Sequence, residues 1–174
     1  MKKVILLLPL VLLMAVCLFF LLFILLNKDP KNPPSALLNK DLPIFSLVNL
    51  YKDNEYLFSK NLKGKNILIN FFASWCAPCK AEHHLFFQIK KEMPELLIFG
   101  ISHKDNPTDS KKYLKKNGNP YSFVGIDADG KIALEFGVMG LPETFIINDK
   151  GKIIFKHTGA LTKKIIDNEI SKLF

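Results

Sequence analysis

The chain has 174 residues, enough for one ordinary domain and little else. With 49% hydrophobic and 23% charged residues it is neither disordered nor collagen-like. The formal charge is +8, yet every one of the 24 basic residues is a lysine. Without arginine the bidentate contacts that read guanine and phosphate are missing, so the lysines read as a solvated surface and no nucleic-acid partner is expected.

Residues 4–26 carry no charge and are apolar apart from Pro9, behind Met1-Lys2-Lys3. A bilayer core needs about 20 such residues in a helix. A cleavable signal peptide has an apolar stretch of roughly 7–15 residues before a small-residue cleavage site. This run is longer and ends in Leu25-Leu26-Asn27-Lys28 without an Ala-x-Ala pattern, so an uncleaved transmembrane signal anchor at 4–26 is expected, behind a cytoplasmic tail at 1–3. Met14-Ala15-Val16-Cys17 loosely resembles a lipid-attachment site, but Val16 is large and apolar residues continue beyond it. Cys17 therefore reads as a membrane-helix residue without chemistry. Lys2 and Lys3 on one side balance Lys28 and Lys31 on the other, and long domains translocate largely regardless of charge. The short tail and the redox chemistry described next place the bulk of the chain outside the cytoplasm, as a single-pass protein.

Pro30, Pro33 and Pro34 stand among polar residues in 27–40, which suits an extended tether. From 41 to 174 the pattern is globular, with no internal repeat. Residues 42–47 and 56–58 read as short strands around a turn at Lys52-Asp53-Asn54. Residues 66–72 form an apolar run with one interior polar residue, the mark of a buried central strand. Residues 77–93 read as a helix, with Pro78 in its first turn, an apolar stripe of Leu85, Phe86, Ile89 and Met93, and Pro94 as its stop. A buried strand at 96–102, a polar helix at 108–116, a short strand at 122–126 and a short helix at 132–136 follow. Strands at 144–148 and 152–157 flank Asp149-Lys150-Gly151 as a hairpin, and 162–173 reads as an amphipathic helix with Ile165, Ile166, Ile170 and Leu173 on one side. This order describes an α/β domain with a mixed sheet and helices on both faces.

The chemistry sits at Trp75-Cys76-Ala77-Pro78-Cys79. Cysteines three apart in the first turn of a helix share a face, close enough to bond after modest adjustment, and the free N–H groups there stabilise a thiolate. The first sulfur is expected at the helix mouth, exposed and nucleophilic, and the second one turn in, shielded; disulfide exchange requires that asymmetry. The pair could instead be half of a zinc site, but His83 and His84 lie on the same helix and no cysteine follows, so no metal is expected. Gly140-Leu141-Pro142-Glu143-Thr144 opens a strand, and a proline placed just before a central strand is a candidate cis peptide.

These features together resemble the thioredoxin superfamily. More narrowly, the stretches 75–83, Gly118-Asn119-Pro120-Tyr121 and Gly137-Val138-Met139-Gly140-Leu141-Pro142-Glu143-Thr144-Phe145 are similar to the membrane-anchored thiol:disulfide interchange proteins of cytochrome c biogenesis, the CcmG/DsbE family. The resemblance implies a thioredoxin-like fold at 41–174 and a periplasmic reductase on the bacterial inner membrane. It implies a membrane thiol carrier as electron donor and apocytochrome c, or a thiol protein of its maturation, as acceptor, with no cofactor of its own. Carried over, Cys76 is the nucleophile, Cys79 the resolving thiol, and Leu141 and Pro142 the cis-proline loop facing them. Trp75, Glu82, Glu143 and Asn70 are the expected modulators of the site. Asn70 stands where thioredoxin has a buried aspartate and cannot accept a proton, which makes Glu82 a candidate to move the Cys79 proton, against the plainer reading of a solvated helix carboxylate. Negative charge from Glu82 and Glu143 near the pair is expected to disfavour thiolate and so favour a reductant. A general periplasmic thiol oxidase, a peroxiredoxin and a thioredoxin-like copper-delivery module using His157 are the alternatives.

Overall fold

Ile67–Phe72 (β3) combines β-branched and aromatic residues without a breaker, and all six of its residues are buried. It lies at the middle of a seven-stranded sheet of order β2-β1-β5-β4-β3-β6-β7, whose other strands are β1 (Ser46–Asn49), β2 (Tyr56–Phe58), β4 (Leu97–His103), β5 (Phe123–Asp127), β6 (Glu143–Ile147) and β7 (Ile153–Thr158). β3 runs parallel to β4 and antiparallel to β6, so the sheet is mixed. The computed structural model describes the backbone of residues 2–26 and 37–174, and the side chains of 9–25 and 37–174.

Alternation along β3 sorts the core into two layers. Leu68 and Phe72 join Ile146 of β6 against Leu85, Phe86 and Ile89 of helix α2 (Ala77–Glu92), Tyr113 and Leu114 of α3 (Pro107–Asn117), and Ile166 and Ile170. Ile67, Ile69 and Phe71 face the other way, with Phe145 and Ile147 of β6, and pack on Phe136 and on Ala133 of α4 (Lys131–Glu135). Phe71, Phe136 and Phe145 meet edge to face at centroid distances of 5.2–5.8 Å.

Two elements differ from the sequence reading. The first strand begins at Ser46 rather than 42, because the segment before it is tied elsewhere: Asp41 bridges Lys152, and Leu42 N–H donates to the Gly151 carbonyl at 2.8 Å. The expected C-terminal helix is broken into a single turn, α5 (Lys163–Ile165), a π-helical turn at Ile166–Ile170 and a 3-10 turn at Ser171–Leu173. Ile165, Ile166, Asp167 and Asn168 are weak helix formers, and the distorted winding keeps Ile166 and Ile170 buried.

The chain divides into two compact units, Met1–Pro33 and Pro34–Phe174. The first contains helix α1 (Lys2–Leu26), on which the expected span at 4–26 falls. Its described side chains, 9–25, are all exposed. Among the described residues no helix is long and apolar enough to cross a membrane. Most of the tether expected at 27–40 lies outside the described residues.

One close approach controls the layer above β3. Gly100, in the middle of β4, leaves room for Phe72 and Tyr121: a Cβ there would lie 2.9 Å from carbons of both rings. Gly100→Ala should destabilise the domain by about 1–3 kcal/mol in urea unfolding, the usual range for overpacking. Wild-type stability of that variant would contradict the packing described.

Candidate redox site

β3 ends at Phe72, and four residues later Cys76 caps α2. The cap is made by sulfur: Cys76 Sγ accepts the Cys79 backbone N–H at 3.2 Å, while Pro78 occupies the first turn, where its missing N–H costs nothing. Cys76 and Cys79 form a disulfide, with Cα atoms 5.3 Å apart. The expected contrast in exposure is absent, since Cys76 is 3% and Cys79 2% exposed. Both cysteines lie in the core layer that carries α2, against which Leu141 also packs. What distinguishes the sulfurs is hydrogen bonding, because only Cys76 sits beyond the helix end in line with its free N–H groups.

The turn before Cys76 is held from the β4–α3 connection. Asp105 accepts Ser74 N–H at 2.7 Å and Ser74 Oγ at 2.9 Å, and the Lys104 carbonyl accepts Trp75 Nε1 at 3.4 Å. Lys104 has φ +45, an uncommon left-handed conformation for a side-chain-bearing residue. Trp75 is 61% exposed beside the dithiol. Asp105 and Lys104 were not singled out in the sequence; the signal available there, Asn106-Pro107-Thr108, marks only the start of α3, where Asn106 Oδ1 accepts Thr108 N–H at 2.8 Å.

The Leu141–Pro142 peptide is cis. Phe71 pairs with Glu143, so Pro142 lies beside the end of β3 from which the chain leaves for Cys76. Its carbonyl accepts Gly159 N–H at 2.9 Å.

Asn70 and Glu82 are brought together; Glu143 is not with them. Asn70 faces α2 and donates to Glu82 Oε1 at 2.9 Å and to Thr144 Oγ1 at 3.2 Å, while accepting Tyr121 O–H at 2.9 Å. Glu82 Oε2 accepts Leu161 N–H at 2.6 Å. Glu82 is 1% exposed, so it is no solvated helix carboxylate. Burial raises its pKa from 4.5 to about 7 against the opposing pull of the Leu161 and Asn70 hydrogen bonds. Glu82 also helps hold the Tyr113 hydroxyl up to about 12, behind the larger effect of burial. Tyr113 Oη is buried without a hydrogen-bond partner among the described residues.

Glu143 is one residue out of phase with Thr144 and so points to the opposite layer. There it takes Lys156 Nζ at 3.1 Å, Thr158 O–H, and Met139 N–H at 3.1 Å. Its charge is compensated locally, so the pair of acids expected beside the dithiol reduces to Glu82. His83 is buried, with Nε2 2.9 Å from the Gly118 carbonyl, whereas His84 is exposed. Among the described residues no group of three or more His, Cys, Asp or Glu side chains is placed to hold a metal ion.

The redoxin family model matches residues 38–172. The chain is 40% identical over 158 residues to a probable thiol:disulfide interchange protein DsbE-2 of Pasteurella multocida, covering 91% of this chain and 81% of that one. It is 35% identical over 178 residues to thiol:disulfide interchange protein DsbE of Escherichia coli K12, covering 100% and 95%. Among solved structures it is similar in fold to a secreted disulfide oxidoreductase of Mycobacterium tuberculosis, with TM-score 0.65 at 19% identity over 74% of this chain and 95% of that one.

A buried carboxyl with a raised pKa binds its proton more tightly when folded. The protonated form's advantage is complete below about pH 4.5 and is lost as pH rises toward 7. Relative to Glu82→Gln, the wild type should therefore lose up to about 3 kcal/mol of stability between pH 4.5 and 7.5, read from urea midpoints. A pH-independent difference between the two proteins would contradict a neutral, buried Glu82.

Proposed function

The chain belongs to the redoxin family and, within it, to the DsbE-type thiol:disulfide interchange proteins, and from that premise we propose that it is a membrane-anchored periplasmic reductant of cytochrome c maturation. The activity is protein thiol–disulfide oxidoreduction. The observation that carries it is the Cys76–Cys79 pair at the N-terminus of α2, with Cys76 Sγ held by the Cys79 N–H.

In the reduced pair, the cap position and the helix N-terminus favour thiolate at Cys76. Cys76 sulfur attacks one sulfur of a partner disulfide; an S–S bond forms to the partner, and the partner's other sulfur leaves and takes a proton. Cys79 then loses its proton and attacks Cys76 sulfur, releasing the partner's second thiol. Two electrons pass to the partner, and the pair is left as the Cys76–Cys79 disulfide. Glu82 lies three residues after Cys79 on the same face of α2, where side chains are neighbours, and its pKa of about 7 suits it to take the Cys79 proton. Trp75 and the Leu141–Pro142 loop flank the pair, and the backbone of Leu141 offers an edge to an extended substrate segment.

A dithiol outside the cytoplasm is oxidised by default, so it serves as a reductant only when electrons are supplied to it. A thiol carrier within the membrane is the donor in this reading, and apocytochrome c or a maturation thiol protein the acceptor. The anchor reading rests on the apolar run at 4–26, on its helical conformation within Lys2–Leu26, and on the exposure of its described apolar side chains. The redox domain follows the tether into the periplasm.

The reduced protein should reduce an intramolecular disulfide in a Cys-x-x-Cys-His peptide stoichiometrically. Cys79→Ser should accumulate a reducible mixed disulfide with that peptide through Cys76, and Cys76→Ser should accumulate none. Equal trapping by both variants, or trapping by Cys76→Ser alone, contradicts the assigned roles; failure of the wild type to reduce the peptide contradicts the function.

A further inference from the structure

A groove remote from the dithiol chemistry has a volume of about 630 Å3 and is lined by Leu42, Ile44, Phe45, Phe58, Lys60 and Lys63, among others. Leu42 and Phe45 pack in the layer of Phe71 and Phe145, whereas Cys76 and Cys79 lie in the α2 layer. Groove and dithiol therefore occupy opposite faces of the sheet. One end of the groove is Gly151, in the β6–β7 turn; β3 starts at that end and carries the chain away from it toward Cys76.

The groove is apolar, open and ringed by cations. Ile44 is 96% exposed, and Phe58 and Tyr56, stacked on each other, are 41% and 51% exposed. Lys60 Nζ stands 5.5 Å from the centre of the Phe58 ring. Lys40, Lys63, Lys65 and Lys150 are exposed around the same region. Of the described acids there, Asp41 is held by Lys152 at 3.1 Å and Glu55, next to Tyr56, by Lys52 at 2.8 Å, which leaves Asp149 of the turn. A solvated face has no need of an isoleucine so exposed in one groove with the Phe58 ring, and apolar patches with a polar rim mark interaction surfaces.

The chemistry of the rim selects the occupant. Lysine ammoniums on long stems, without the fixed fork of arginine, suit a fluid layer of phosphates better than one fixed carboxylate. Apolar side chains between them enter the boundary below the headgroups. The redox domain also begins at this side, with Asn39 N–H donating to the Ile153 carbonyl at 2.8 Å. We infer that this groove and its lysines rest the redox domain on an anionic phospholipid surface, with the Cys76–Cys79 face turned away from lipid while the contact holds and free to meet the membrane thiol carrier when it is released. The inference rests on the membrane-anchor reading for its proximity to lipid and adds a second, reversible contact to it.

The protein supplies its own control, because Trp75 is its only tryptophan and stands at the dithiol. The full chain is reconstituted into vesicles of phosphatidylcholine, alone or mixed with phosphatidylglycerol, carrying brominated acyl chains. In the mixed vesicles the emission added by Ile44→Trp should be quenched and Trp75 emission in the wild type should not. Quenching should fall in phosphatidylcholine alone, at high salt, and when Lys60→Glu and Lys63→Glu are added. Glutathione exchange at the dithiol should be unchanged in all variants. A chain that floats with the vesicles while Ile44→Trp emission stays unquenched overturns the lipid contact and leaves the anchor standing. A blue shift that grows with protein density, without quenching, identifies a second copy as the occupant and also overturns it. Failure to float with anionic vesicles overturns anchor and contact together.

Discussion

β3 is buried on both faces between β4 and β6, and its C-terminal end hands the chain to the N-terminus of α2 within four residues. Everything at the site follows from that junction. A strand that cannot move holds the helix mouth in place, and the helix mouth supplies the N–H that reaches Cys76 Sγ. Because β6 is the antiparallel neighbour of β3, the same junction brings Pro142 to the level of the dithiol. The cost of burying β3 completely is that its single polar residue must be satisfied inside the protein. Asn70 meets that demand through Glu82, Thr144 and Tyr121, and so ties the floor of the site to α2, β6 and the loop before β5.

That network also separates the two acids expected near the dithiol. Glu82 and Glu143 are equivalent in a reading of composition, but they face opposite layers. Lys156 compensates Glu143, whereas among the described residues the Glu82 carboxyl is held by neutral N–H donors from Asn70 and Leu161. A buried carboxyl of this kind, three residues after Cys79 on α2, is no fixed negative charge, since its pKa of about 7 leaves both forms populated near neutral pH. Leu161 belongs to the C-terminal segment, which with Ile166 and Ile170 shares the core layer of α2.

Long apolar runs and the Cys-x-x-Cys spacing made the central strands, α2 and the dithiol legible in the sequence. Proline before a strand pointed to the loop at Leu141–Pro142. Quantities that depend on phase or on distant partners were not legible. Whether Glu143 or Thr144 faces α2 depends on a one-residue register, which alternation alone leaves open in a strand buried on both faces. The burial of Glu82 requires Leu161, 79 residues away, to cover it. The low exposure of Cys76 comes from its place in the core layer against which Leu141 packs, and the support of Ser74 by Asp105 spans a gap of 31 residues. The C-terminal segment has helical periodicity but weak helix formers, so the single amphipathic helix expected from its apolar spacing is broken, and of its four apolar residues Ile166 and Ile170 are buried while Leu173 is exposed.

A reductant outside the cytoplasm needs a stable disulfide, and that stability separates it from an oxidant. The direct measurement is the reduction potential of the Cys76–Cys79 couple, obtained by equilibration with glutathione at neutral pH. On the scale that runs from about −270 mV for thioredoxin to about −120 mV for a strong oxidase, the couple of a reductant should lie at a value more negative than about −170 mV. A value close to −120 mV would contradict it and make the protein an oxidant.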